Sequence, residues 1–79
     1  MNFYFTFGTS PKFPYGIKDY VKVIAKNQIN AEKMFMLSHP GPDPDSINCA
    51  FVYTQKEWDN GVSKYYKDKV PVEIIDGVN

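Results

Sequence analysis

The sequence predicts an α+β fold of the order β-β-α-β-α-β: one small domain over residues 1–79, a four-stranded, mostly antiparallel sheet, and two helices on one of its faces. Three observations carry this. Residues 3–7, Phe-Tyr-Phe-Thr-Phe, alternate strictly, as a half-buried strand does. Thr54-Gln55-Lys56-Glu57 spells a capping box, which starts a helix. A chain of 79 residues has room for one core and no linker or second domain.

The elements follow in order. In strand 3–7, Phe3, Phe5 and Phe7 share one face and Tyr4 and Thr6 the other; Gly8 ends it. Residues 8–19 hold two prolines and two glycines and read as a loop. Residues 20–25 form a second strand, with Val21, Val23 and Ala25 opposite Tyr20, Lys22 and Ile24. A helix starts near Asn27 or Asn30, both good N-caps, buries Ala31, Met34, Phe35 and Leu37 or Ser38, and stops before His39-Pro40-Gly41. Residues 40–48 are too rich in proline for helix or central strand. The apolar run 49–53 reads as a buried central strand. The capped helix follows, with Trp58 inward and Asn60-Gly61 at its end. Residues 62–69 are ambiguous, and 70–75 form a last strand that Pro71 places at an edge.

Composition excludes several functions. Nine Asp and Glu balance nine lysines, there is no arginine, and the net charge is zero. Long duplex nucleic acid demands a dense cationic face, so it is not an expected partner. No apolar run approaches the ~20 residues that span a bilayer, and residues 1–8 lack the basic start of a signal peptide. A cytoplasmic location is the simplest expectation, with the single cysteine, Cys49, reduced. Neither a cofactor nor a metal is expected: His39 is the only histidine, and Asp43 to Thr54 lacks the glycine and glutamate of a calcium loop. Catalysis is not expected either, because no motif pairs an acid with a base or a nucleophile. His39 at a helix C-terminus reads as a dipole partner and Cys49 as a small core hydrophobe. One number stands out. Six Tyr, six Phe and one Trp are more aromatic residues than so small a core readily hides, which points to a subunit interface, a stacking surface, or both.

The candidate site lies on the sheet face that two helices on one side would leave bare. Tyr4, Thr6, Tyr20 and Lys22 share that face; the rings suit stacking on bases, and the ammonium suits a phosphate. The loop Gly8-Thr9-Ser10-Pro11-Lys12 follows the first strand with free N–H groups, two hydroxyls and an ammonium, although it lacks P-loop spacing. Trp58 is the ninth candidate: on the plainer reading it packs in the core, but at a pocket edge its indole is the best stacking surface in the chain. The plainer reading of the tyrosine platform is a subunit interface, and a composite site between subunits satisfies both. Lys64, Lys67 and Lys69 flank Tyr65 and Tyr66, a cationic aromatic stretch that by default is a solvated face.

Taken in order, Tyr4-Phe5-Thr6-Phe7-Gly8, Tyr20-Val21-Lys22-Val23, Ala31 with Met34-Phe35, Ala50-Phe51-x-Tyr53 and Glu57-Trp58 resemble a large group of very small proteins encoded by phages and prophages of Gram-positive bacteria. The pattern spans residues 3 to 66; each motif is short, and their order carries the likeness. Two departures are visible. Cys49 stands where members usually carry tryptophan, and the proline-rich loop before it is longer. The resemblance extends to the anti-CBASS sponges, phage proteins that sequester the cyclic oligonucleotide signals of bacterial antiphage defence. It implies a small homo-oligomer, such as a tetramer, in the host bacterial cytoplasm, binding a cyclic dinucleotide such as cGAMP without cleaving it. The alternative is an anti-CRISPR-like protein that blocks a host defence nuclease through its open sheet face or edge strand. A minor enzyme of nucleotide metabolism ranks last.

Overall fold

The computed structural model describes residues 1–43 and 45–77. Four strands, β1 (Asn2–Thr6), β2 (Tyr20–Ile24), β3 (Phe51–Thr54) and β4 (Glu73–Asp76), form one sheet in the order β3-β1-β2-β4. Helix α1 (Gln28–Ser38) connects β2 to β3; helix α2 (Gln55–Asp59) and a 3-10 turn (Val62–Tyr66) connect β3 to β4. The β1–β2 and β1–β3 pairs are antiparallel and β2–β4 is parallel. This is the expected α+β class with a mostly antiparallel sheet.

The arrangement of the helices differs from expectation: they lie on opposite faces. Phe3, Phe5, Phe7, Val21, Val23 and Ala25 pack with Ala31 and Phe35 of α1. Tyr4 and Tyr20 pack with Trp58 of α2, flanked by Tyr53, Val62 and Tyr66. The strand period explains this. Phe5 and Tyr4 must point to opposite sides, and each side carries rings large enough to recruit its own cover. Phe5 stacks on Phe35 at 4.6 Å, and Tyr4 stacks on Trp58 at 4.2 Å and 6°. Two thin cores thus sandwich one sheet; β1 is buried on both faces from Phe3 to Thr6, and β2 is buried on the α1 face and at Tyr20 on the other.

This also accounts for the aromatic surplus. Of the thirteen aromatic side chains, only Phe51 and Tyr65 are exposed, at 59% and 86%.

The run 49–53 is not a central strand. Its strand begins at Phe51 and forms a sheet edge; none of its four residues is fully buried. Cys49 precedes the strand and is buried in the α1-side core, so the apolar run mixes an inward residue with the outward Phe51. The last strand is the expected edge, starting beyond Pro71.

Local signals set the helix ends. Asn27 Oδ1 accepts from the Asn30 N–H at 2.8 Å and starts α1, which buries only Ala31 and Phe35 fully; Met34 is half-buried, and Leu37 and Ser38, one of which the spacing places inside, are both exposed. The capping box is present in full. The Glu57 N–H donates to Thr54 Oγ1 at 3.2 Å, and the Thr54 N–H donates to Glu57 Oε1 at 2.9 Å. Gly61, at φ 158° and ψ −35°, occupies a conformation suited to glycine and turns the chain from α2 into the 3-10 turn.

Candidate functional site

The nine sequence-derived site residues fall into two places. Tyr4, Thr6, Tyr20 and Trp58 form one cluster beneath α2, each at least 92% buried. Beyond the stack on Tyr4, the indole lies 4.7 Å from the Tyr20 ring and 5.1 Å from that of Tyr66. The Tyr4 hydroxyl donates to Gln55 Oε1 at 2.8 Å, and the Tyr20 hydroxyl donates to the Lys69 carbonyl at 3.4 Å. Thr6 hydrogen-bonds the Tyr66 hydroxyl. Burial raises the pKa of Tyr4, Tyr20 and Tyr66 above the ordinary tyrosine value. The rings expected to meet a ligand instead meet Trp58. Lys22 lies beside this cluster, half-buried between Tyr4 and Ile74 in the ladder.

Gly8, Thr9, Ser10 and Lys12 go elsewhere. Gly8 takes φ 59°, a left-handed turn out of β1 that favours glycine. The loop beyond it anchors Phe13 and Tyr15 on the α1-side core. Lys12 holds its ammonium 5.3 Å from the Phe13 ring centre and lines a 260 Å³ recess with Pro42, Ser46, Ile47 and Asn48. Thr9 is exposed, and Ser10 Oγ accepts from the Lys12 N–H at 3.5 Å. These residues do not share a surface with Tyr4 and Tyr20, because the loop's own aromatic side chains pull it to the opposite face.

A broad concavity lies on the outer side of α2. It measures 720 Å³ and is lined by Tyr53, Glu57, Asn60, Gly61, Val62, Lys64 and Tyr65. Tyr53 comes from the end of β3, Glu57 and Asn60 from α2 and its cap, and Lys64 and Tyr65 from the 3-10 turn. The bend at Gly61 turns the last two back toward the first. The site offers two phenol rings, one of them exposed, a primary ammonium, a side-chain amide and one carboxylate. Glu57 is partly committed to the helix cap through the Thr54 N–H. Among the sequence-derived candidates, only Trp58 belongs to the helix that builds this concavity. Lys64 and Tyr65 were visible in the sequence as a cationic aromatic stretch; Gly61 before them was the signal that the chain folds back.

A second grouping escapes any spacing rule. His39 Nε2 lies 2.6 Å from Glu73 Oε1, and the Tyr15 hydroxyl donates to the same carboxylate. Burial, with the Glu73 charge next, raises the Tyr15 pKa. This contact ties the C-cap of α1 to β4. Cys49 is buried, and burial followed by the charge of Glu32 pushes its thiol up to about 12, which keeps it protonated and inert. Among the described residues, no group of three or more His, Cys, Asp or Glu side chains is placed to hold a metal ion. No helix among them is long and apolar enough to cross a membrane.

No protein-family model, curated protein or solved structure matches this chain.

Proposed function

We propose that this protein binds and sequesters a cyclic oligonucleotide of the cGAMP type without cleaving it, as a phage immune-evasion protein acting in the host bacterial cytoplasm. The observation that carries the reading is the concavity outside α2, where exposed Tyr65 and partly buried Tyr53 flank Lys64 and Asn60. Phenol rings stack on bases, an ammonium meets a phosphate, and an amide both donates to and accepts from a base edge. A volume of 720 Å³ lies within the usual range for small-molecule sites. The resemblance to small phage proteins supports the choice of ligand, and the near-neutral chain suits a small dianion better than a long polyanion. The binding face moves from the Tyr4 and Tyr20 platform, whose rings are occupied, to the outer side of α2. A nuclease-blocking role is the second reading, favoured by the open, uncharged edge of β3.

Thermal melts against a panel of cyclic di- and trinucleotides test the proposal. A ligand at about one hundred times its Kd adds about 2.7 kcal/mol, which in a domain of this size raises the melting temperature by roughly 10 °C or more. Heating the complex then returns the nucleotide intact. Absence of a shift across the panel, or linear product in excess over protein, overturns the reading.

A further inference from the structure

We infer that β3 is a self-pairing edge, through which two copies of this chain join their sheets around a two-fold axis. The two edges of the sheet differ in how they are guarded. β4 follows Pro71 and carries Glu73 and Asp76 within four residues, the charges and proline that normally blunt an open edge. A β4–β4 seam would gather two copies of each carboxylate and no strand lysine. β3, Phe51-Val52-Tyr53-Thr54, has no charge and no proline, and among the described residues it pairs in the sheet only with β1.

The occupant that suits β3 is another β3. An antiparallel seam between identical strands has its two-fold axis normal to the sheet, so residues facing each other must share a face. Centring the axis on Val52 satisfies this: Val52 faces its own copy, and Phe51 of each chain faces Tyr53 of the other. Phe51 and Tyr53 already lie on one face, stacked at 6.0 Å and 28°. The seam therefore forms two aromatic cross-strand pairs and opposes no like charges. It also covers Phe51, which with Tyr65 is one of the two exposed aromatic side chains. Because the axis is normal to the sheet, the α2 concavities of both copies open on the same face. A β3–β4 seam would be head-to-tail and would not close, giving chains of molecules rather than a dimer.

The test needs no nucleotide, so its result is separate from that of the binding proposal. Sedimentation equilibrium on the full chain at micromolar to millimolar concentration is expected to give a dimer. Hydrogen exchange at the Val52 amide, which points away from β1, slows as concentration rises, whereas exchange at β4 does not. Phe51→Lys, at an exposed position that leaves both cores intact, weakens dimerisation at least tenfold; Ile74→Lys on β4 leaves it unchanged. A monomer throughout the range, or concentration-dependent protection confined to β4, overturns the inference. So does a Phe51→Lys variant that dimerises like the parent.

Discussion

Tyr4 and Trp58 behave as core residues, and Tyr65 does not. Replacing Trp58 by alanine removes the plate on which Tyr4, Tyr20 and Tyr66 pack, and is expected to cost about 3–5 kcal/mol, enough to threaten a small domain. Tyr65→Ala, at an 86% exposed position, should change stability by less than about 0.5 kcal/mol. Denaturant melts of the two variants check both values. Cys49 gives a second prediction. With its thiol pushed up to about 12 and its side chain buried, a thiol reagent at pH 8 should react at least about a hundredfold more slowly with the native protein than with the denatured chain. Equal rates would place the thiol at the surface. The phenylalanine face of β1 was legible because Phe has one preference. The tyrosine face was not, because a Tyr ring reads equally as cover for a core or as a platform for a ligand.

The five residues of α2 are too few to hold a helix by propensity, so the element depends on its cap and on Trp58. Thr54→Ala removes the side-chain half of the capping box and should cost about 0.5–2 kcal/mol. Because Asn60 and Lys64 are oriented from α2 and the turn behind it, ligand binding should weaken with it; calorimetry beside a denaturant melt separates the two losses. The cap was legible residue by residue, as were the Asn27 start of α1 and the edge position of the last strand beyond Pro71. The place of β3 was not. A continuous apolar run is the same string whether it is buried on two faces or carries one residue inward before the strand and another outward within it. The contact between His39 and Glu73 was equally invisible, because it joins the end of a helix to a strand 34 residues away.

Over the whole molecule, α1 covers one face of the sheet and α2 covers the other at Tyr4, Thr6 and Tyr20, while Phe51 and Ile74 toward the sheet edges stay exposed. The covered tyrosines make stability depend on pH. Tyr4, Tyr20 and Tyr66 hold their protons more tightly folded than unfolded, so their contribution is fully present below the ordinary tyrosine pKa of 10.0 and is lost as pH rises through the higher folded values. Thermal melts should therefore be level in this respect below pH 9 and fall progressively above pH 10; melts unchanged up to pH 11.5 would contradict it. Legibility at this scale stopped at a single assumption. The element order and class were readable, but placing both helices on one face predicts a bare platform at Tyr4, Thr6 and Tyr20, where the structure puts Trp58 of α2. The position proposed for the site, outside α2, is tested most directly by titrating a cyclic dinucleotide that stabilises the parent into folded Tyr65→Ala, Lys64→Ala and Lys12→Ala variants in a calorimeter. Losing a base stack costs roughly 1–3 kcal/mol and a charge-assisted hydrogen bond roughly 1.5–3 kcal/mol, so the first two variants should bind about tenfold or more weakly and Lys12→Ala should bind as the parent does. Parent-like binding by Tyr65→Ala and Lys64→Ala, with loss in Lys12→Ala, would contradict the assignment and place the ligand in the recess beside the first loop.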